Sequence, residues 1–287
     1  MPAILRYPGS KTKLLPQIEE FLPDCLRGGL YPCPDGFTYV DAFAGSGASF
    51  LRFTQNASPN VSLWVNDIDY SIYALWKCVF NSPDKLCELV RNVVPSAGLF
   101  YELKKKDGVD TGDILQDAVD KIALHRMSVS GFGAKAGGPI GGRRQLGEYT
   151  VGCRWRPASI EIAIRSAHEL IKRFEHVSIT KLHFSEVLND CGINHFLYLD
   201  PPYYVKGNDL YRNGMTNHEH VALAMSLADT PSDWVLSYDD CDEVRNLYKQ
   251  FPTKELEVRY TNAVQRGGER PKNKELLICS EGLKEDR

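Results

Sequence analysis

Thr38-Tyr39-Val40-Asp41-Ala42-Phe43-Ala44-Gly45-Ser46-Gly47 reads as a β-strand running into a tight glycine turn, and Ala48 to Thr54 has the composition of a helix start. Working outward, Val61 to Val65 is a second strand, closed by Asn66-Asp67-Ile68-Asp69. Tyr70 to Phe80 then carries apolar residues at helical spacing through Ile72, Leu75, Trp76 and Val79. This is a βαβ rhythm, so the expected class is α/β with a parallel sheet. Sheet sequence returns at Val177 to Leu182, Phe196 to Leu199 and Trp234 to Tyr238. Glu255 to Thr261 and Glu275 to Ser280, joined by a polar loop, read as a terminal hairpin. Between the two strand-bearing blocks, from about Asp84 to Lys172, the chain is mainly helical, broken by a glycine-rich stretch at Gly131 to Gly152.

The chain has 287 residues, 43% hydrophobic and 25% charged, enough for one large α/β domain with an inserted module. There is neither an apolar run long enough to cross a bilayer nor a signal-peptide pattern at Met1-Pro2-Ala3, so no membrane partner and a cytoplasmic location are expected. The eight cysteines are scattered with no Cys-x-x-Cys pair and read as reduced, mostly buried thiols. His218 and His220, at i, i+2 spacing, point apart on a helix, and no metal site is expected. The net charge of −3 hides an asymmetry: Lys121 to Arg173 holds ten basic residues against three acids, a local +7 that leaves −10 for the remainder. A positive field on an acidic body is the footprint of a polyanion-binding face. Arg143, Arg144, Arg154 and Arg156 stand out because they lie in non-helical sequence.

Two spacings carry chemistry. Gly45-Ser46-Gly47 lets backbone pass close to a ligand, and Asp67 ends the next strand at the position from which a carboxylate accepts hydrogen bonds from ribose hydroxyls. A dinucleotide site would show a longer Gly-x-Gly-x-x-Gly turn, whereas here Gly47 is followed by Ala48, Ser49 and Phe50. A nucleoside without phosphates, such as S-adenosylmethionine, fits better. Phe196 to Leu199 stops at Asp200-Pro201-Pro202-Tyr203-Tyr204. The prolines cannot continue the ladder, so Asp200 is held at the carboxyl tip of its strand, where open α/β sheets bind ligands. At the N-terminus, Arg6-Tyr7-Pro8-Gly9-Ser10-Lys11 precedes an amphipathic Leu14 to Leu22 helix, and Lys11 with helix-terminal amides would suit a carboxylate.

Taken together, Tyr7-Pro-Gly-Ser-Lys11, Asp41-Ala-Phe-Ala-Gly-Ser-Gly47, Asn66-Asp67-Ile-Asp69 and Asp200-Pro-Pro-Tyr203 resemble, in content and order, the Dam-like DNA adenine-N6 methyltransferases. The resemblance implies a Rossmann-like, seven-stranded methyltransferase sheet with a C-terminal antiparallel hairpin. Residues 1–83 and 175–287 would form the catalytic domain, and 84–174 an inserted, mainly helical target-recognition domain. It also implies transfer of a methyl group from S-adenosylmethionine to a flipped adenine in double-stranded DNA. Tyr7, Lys11, Asp41, Phe43, Gly45, Gly47, Asp67 and Asp200 would serve the cofactor, and Asp200, Pro201, Pro202 and Tyr203 the target base.

An exocyclic amine is a poor nucleophile because its lone pair is delocalised. The Asp200 carboxylate and Pro201 carbonyl can accept its two hydrogens and localise the pair, with Tyr203 as a stacking platform for the extruded base. Tyr204 and Tyr211 are each readable as aids or as packing, and Val205 to Asn217 as a mobile loop that orders on DNA. The DNA contacts expected are Arg126, Lys135, Arg143, Arg144, Arg154 and Arg156, with Arg266 and Arg270 beside Lys272 and Lys274 in the terminal hairpin. Where many members of the family carry an acid against the cofactor's adenine, this chain has His183-Phe184-Ser185, and its recognition segment reads Ser130 to Pro139. Left open by the residues are cytosine-N4 methylation, a catalytically silent DNA-binding regulator, a cognate restriction endonuclease as partner, the oligomeric state and the recognition sequence.

Overall fold

In a computed structural model, described for residues 2–6, 11–28, 33–205, 207, 212–258 and 273–283, seven strands form one sheet. They are β1 (Thr38–Asp41), β2 (Ser62–Asn66), β3 (Val177–Thr180), β4 (His195–Leu199), β5 (Asp233–Asp239), β6 (Thr253–Val258) and β7 (Asn273–Cys279). Their order is β3-β2-β1-β4-β5-β7-β6. All neighbouring pairs from β3 to β5 are parallel, and β7 runs antiparallel between β5 and β6. This is the Rossmann-like methyltransferase arrangement expected from the sequence. The order reverses at β1, which lies between β2 and β4, so a crevice opens where the chain leaves β1 and β4 in opposite directions.

Ten helices are described: α1 (Leu15–Ile18), α2 (Ala48–Phe53), α3 (Tyr70–Asn81), α4 (Pro83–Asn92), α5 (Ala97–Lys106), α6 (Ile114–Met127), α7 (Pro157–Ile171), α8 (Phe184–Asp190), α9 (Asn217–Asp229) and α10 (Asp242–Leu247). The period-two alternation of the strands divides the apolar residues between two faces. Val40, Leu197, Leu199, Leu236 and Ile278 pack with α8 and α9 through Val187, Leu188, Leu223 and Leu227. Tyr39, Leu63, Val65, Phe196 and Val235 face the other way, onto Phe50, Ile72, Trp76 and Val79 of α2 and α3. That second core runs without a break into α4, α5, α6 and α7, through Leu86, Phe100, Ile122, Ile160 and Ile164.

Three expectations are corrected. The Leu14 to Leu22 segment is a single turn of α-helix between 3-10 turns at Lys11–Lys13 and Glu19–Phe21, because Pro16, in the first turn of α1, ties the helix start to Leu15. Cys25 and Cys33 form a disulfide, their Cα atoms 5.0 Å apart. No sequence pattern marks the pair, and the other six cysteines are free thiols. Finally, the +7 of this segment is not all free surface charge, since one cation is buried and three more are already engaged. Lys121 is buried between Asp69 at 3.0 Å and Asp107 at 2.9 Å, Arg165 pairs with Asp84 and Lys172 with Glu169, and Arg173 donates to the carbonyls of Gln55 and Ala57.

Candidate active site

The carboxyl ends of β1, β2 and β4 form one edge, since Asp41 stands opposite both Val65 and Tyr198 in register. Asn66 fastens this edge. Its amide nitrogen donates to the carbonyls of Ala42 and Leu182, and its amide oxygen accepts from Thr180 Oγ1 and the Leu182 N–H, which ties the tips of β1, β2 and β3 together. Beyond them lies a cavity, with Gly45, Asp67, His183, Asp200 and Lys11 among the residues on its wall.

The glycine turn is built by its neighbours. Gly45 and Gly47 both have positive φ, 45° and 74°. The Gly45 N–H donates to Asp67 Oδ2 at 2.8 Å, and Trp76 Nε1 donates to the Gly45 carbonyl at 3.0 Å. Gly45 and Ser46 reach the cavity wall, whereas Gly47 lies behind it at the start of α2. A Cβ at Gly47 would fall 2.2 Å from the Trp76 ring, so this glycine answers to packing. Asp41 also lies behind the wall, where its carboxylate accepts the Ser49 hydroxyl at 2.5 Å and burial pushes it up to about 7. Phe43 lines the cavity against Phe184, with ring centroids 6.1 Å apart.

Asp67 presents a carboxylate whose two oxygens each accept one backbone N–H, from Gly45 and from Asp69, both at 2.8 Å. A carboxylate has about four lone-pair positions, so two further donors can be taken on the cavity side. Burial, and then the charge of Asp69, pushes this acid up to about 7. Asp69 caps α3 through the N–H of Ser71 and is held ionised by Lys121. Helix α6 therefore reaches the site through a buried ion pair.

At the other end, Lys11 Nζ is 2.8 Å from Asp200 Oδ1 and 3.5 Å from Glu275 Oε2, and it hydrogen-bonds the Tyr203 hydroxyl while lying 4.1 Å from that ring's centroid. Ser237 donates to Asp200 Oδ1 at 3.1 Å, and Tyr203 donates to Glu275 at 2.6 Å. Burial raises Asp200 above the ordinary carboxylate range, opposed by Lys11. Lys11 thus stands at the tetrad, flanked by two acids. Pro201 is buried and Pro202 lines the cavity. Tyr204 packs on the His220 ring at 4.8 Å and gives its N–H to Asp239.

His183 lines the cavity and caps α8, accepting the Ser185 N–H, with its Nε2 3.6 Å from Glu219 Oε1 of α9. Glu219, Glu275, Ser237 and Asp239 touch this site although no sequence motif marks them. They come from elements whose pairing, not their sequence, brings them here. Tyr7, Tyr211, Arg266 and Arg270, with Lys272, lie outside the described residues. Lys274 pairs with Glu255 at 2.9 Å.

Of the expected DNA contacts, Arg126 donates to the carbonyls of Ala3 and Ile4 and so holds the N-terminal segment to α6. His125 Nδ1 is 3.1 Å from the Arg6 carbonyl on the same segment. Lys135, Arg143, Arg144, Arg154 and Arg156 are exposed. Among the described residues none of these four arginines has a carboxylate within ion-pair distance; Arg143 lies over Tyr101, 5.8 Å from its centroid.

The model of one protein family, the D12 class N6 adenine-specific DNA methyltransferases, matches residues 7–262. The chain belongs to that family. A type II methyltransferase, M.CviBI of Paramecium bursaria Chlorella virus NC1A, is 21% identical over 276 residues, which cover 93% of this chain and 94% of the relative. A solved structure from Thermoplasma acidophilum, described as a candidate methyltransferase, is 12% identical with a TM-score of 0.31, covering 86% of this chain and 69% of that one. This D12 class chain is therefore an enzyme that methylates adenine N6 in DNA, and its DNA substrate is acted on with a methyl donor. Adenine, not cytosine N4, is the target that the family prescribes.

Proposed function

We propose that the methyl donor is S-adenosylmethionine, bound in the cavity between the Gly45 turn and Asp200. The observation that carries this reading is the placement of a lone-pair-rich acid, Asp67, at one side of the cavity and the Asp-Pro-Pro-Tyr tip at the other. Asp67 suits two ribose hydroxyls, Gly45 and Phe43 give close backbone and an apolar wall, and Asp41 supports the turn from behind. When bound, the donor supplies a methyl group on a positively charged sulfur. The protein does the rest. The Asp200 carboxylate and the Pro201 carbonyl accept the two amine hydrogens of the flipped adenine, and the lone pair is thereby aimed at the methyl carbon. Tyr203 stacks on the base. Lys11, 2.8 Å away, supports the ionised form of Asp200 that this role demands.

In this reading residues 84–174 are the target-recognition module and Arg143, Arg144, Arg154 and Arg156 its phosphate contacts, with Lys135 beside them. The type II relative makes the modification partner of a restriction endonuclease the natural setting. The test is incubation with methyl-labelled S-adenosylmethionine and adenine-bearing duplex, followed by nucleoside analysis. N6-methyladenine is expected, and Asp200→Ala should lower kcat by about 10² to 10³, the usual effect of removing one oriented transition-state partner. Full turnover in Asp200→Ala would overturn the assignment.

A further inference from the structure

β5 and β7 run antiparallel, with Asp239 directly opposite Glu275. Two carboxylates facing each other on one side of a sheet repel, and Glu275 is only 2% exposed. Both acids are nevertheless turned to the same use. Glu275 Oε2 accepts the Tyr203 hydroxyl at 2.6 Å, while the two oxygens of Asp239 accept the N–H groups of Tyr204 and Val205, both at 3.0 Å. The segment that follows Asp200 is gripped at the Tyr203 tip and at the backbone just beyond it.

Lys11 adds a second consideration. Its ammonium sits 2.8 Å from Asp200 Oδ1, the group that the reading above asks to accept an amine hydrogen. For the amine to enter, the ammonium must lean away from Asp200. In a buried site, an ammonium without an anionic partner is costly. Glu275 Oε2, 3.5 Å from the same nitrogen, is a second anion within reach.

We propose that Glu275 is a positioning residue for methyl transfer: it tethers the Tyr203 ring and shares Lys11 with Asp200, leaving the Asp200 carboxylate able to take the target amine. The proposal rests on the assignment of Asp200 to the base, and Asp200→Ala, tested alongside, tells the failure of one from the failure of the other. The decisive variant is Glu275→Gln, which still accepts the Tyr203 hydroxyl but removes the charge. Cofactor affinity should stay within about twofold of wild type while kcat falls on the order of tenfold to a hundredfold.

The acid limb of the kcat profile should also move to lower pH, because the negative charge that opposed Asp200 ionisation is gone. The other groups facing Asp200 and Glu275 are Lys11, Asp41 on β1, Tyr198 on β4, Tyr203 and Asp239 on β5. They are the same in both proteins, so the shift reports Glu275. A kcat within about twofold of wild type with an unmoved acid limb would overturn the proposal. Should Glu275→Gln fail to fold, Tyr203→Phe decides. It keeps the ring and cuts the tether, so a 2-aminopurine at the target position should be less quenched and kcat lower; wild-type quenching and kcat would overturn it.

Discussion

Asp67 is placed so that its protonation controls the cavity. Its folded-state value of about 7 lies far above the ordinary aspartate range, because burial and the charge of Asp69 disfavour the ionised form. A carboxylate that accepts two ribose hydroxyls must be ionised, so the proposed cofactor should bind on the order of tenfold more weakly at pH 6 than at pH 8, by calorimetry. Asp67→Asn should bind weakly at both values and lose that dependence. The stability sign is opposite. Between the unfolded value near 4 and the folded value near 7, the native state holds the extra proton on Asp67 and on Asp41. Both groups therefore cost stability as pH rises through that window and have no further effect above it. Asp67 and Asp200 were legible in the sequence because each ends an apolar strand, where geometry leaves few places for an acid to point. Glu275 and Asp239 were not, since their meeting with Tyr203 depends on an antiparallel pairing between strands far apart in sequence.

At the scale of elements, the first strand, turn and helix behave as one packed unit. Gly47 has φ 74°, and a Cβ there would fall 2.2 Å from Trp76, whose indole N–H in turn holds the Gly45 carbonyl. Gly47→Ala adds left-handed strain to overpacking, and urea denaturation should show a loss of about 2 to 4 kcal/mol. The glycine pattern was visible in the sequence, but it suggested ligand approach at both positions, and only Gly45 faces the cavity. The strands and long helices were legible from periods of two and 3.6 because burial enforces them. The broken N-terminal helix was not, because the apolar spacing of Leu14 to Leu22 continues past Pro16 although the backbone does not.

A count of charges along a sequence cannot separate those inside the molecule from those facing solvent, and here the separation makes opposite predictions for residues of one sign. Lys121, counted with the basic face, is buried and ties α6 to Asp69 and Asp107. Lys121→Met leaves two buried carboxylates without their cation and should destabilise the protein by about 3 to 5 kcal/mol. It should leave the salt dependence of DNA binding unchanged, measured at a temperature where the variant remains folded. Arg143, Arg144, Arg154 and Arg156 are exposed and have no carboxylate partner among the described residues, so the positive field they carry is free to meet phosphates. Changing all four to Gln should leave the thermal midpoint nearly unaltered. If each arginine displaces about one counterion from the duplex, the slope of log K against log salt should become shallower by about 3 to 4. An unchanged slope would place the DNA on another face of the molecule. A shallower slope without lost stability, set beside the reverse pattern in Lys121→Met, would divide the +7 segment into a part that binds the duplex and a part that holds α6 to Asp69 at the head of α3.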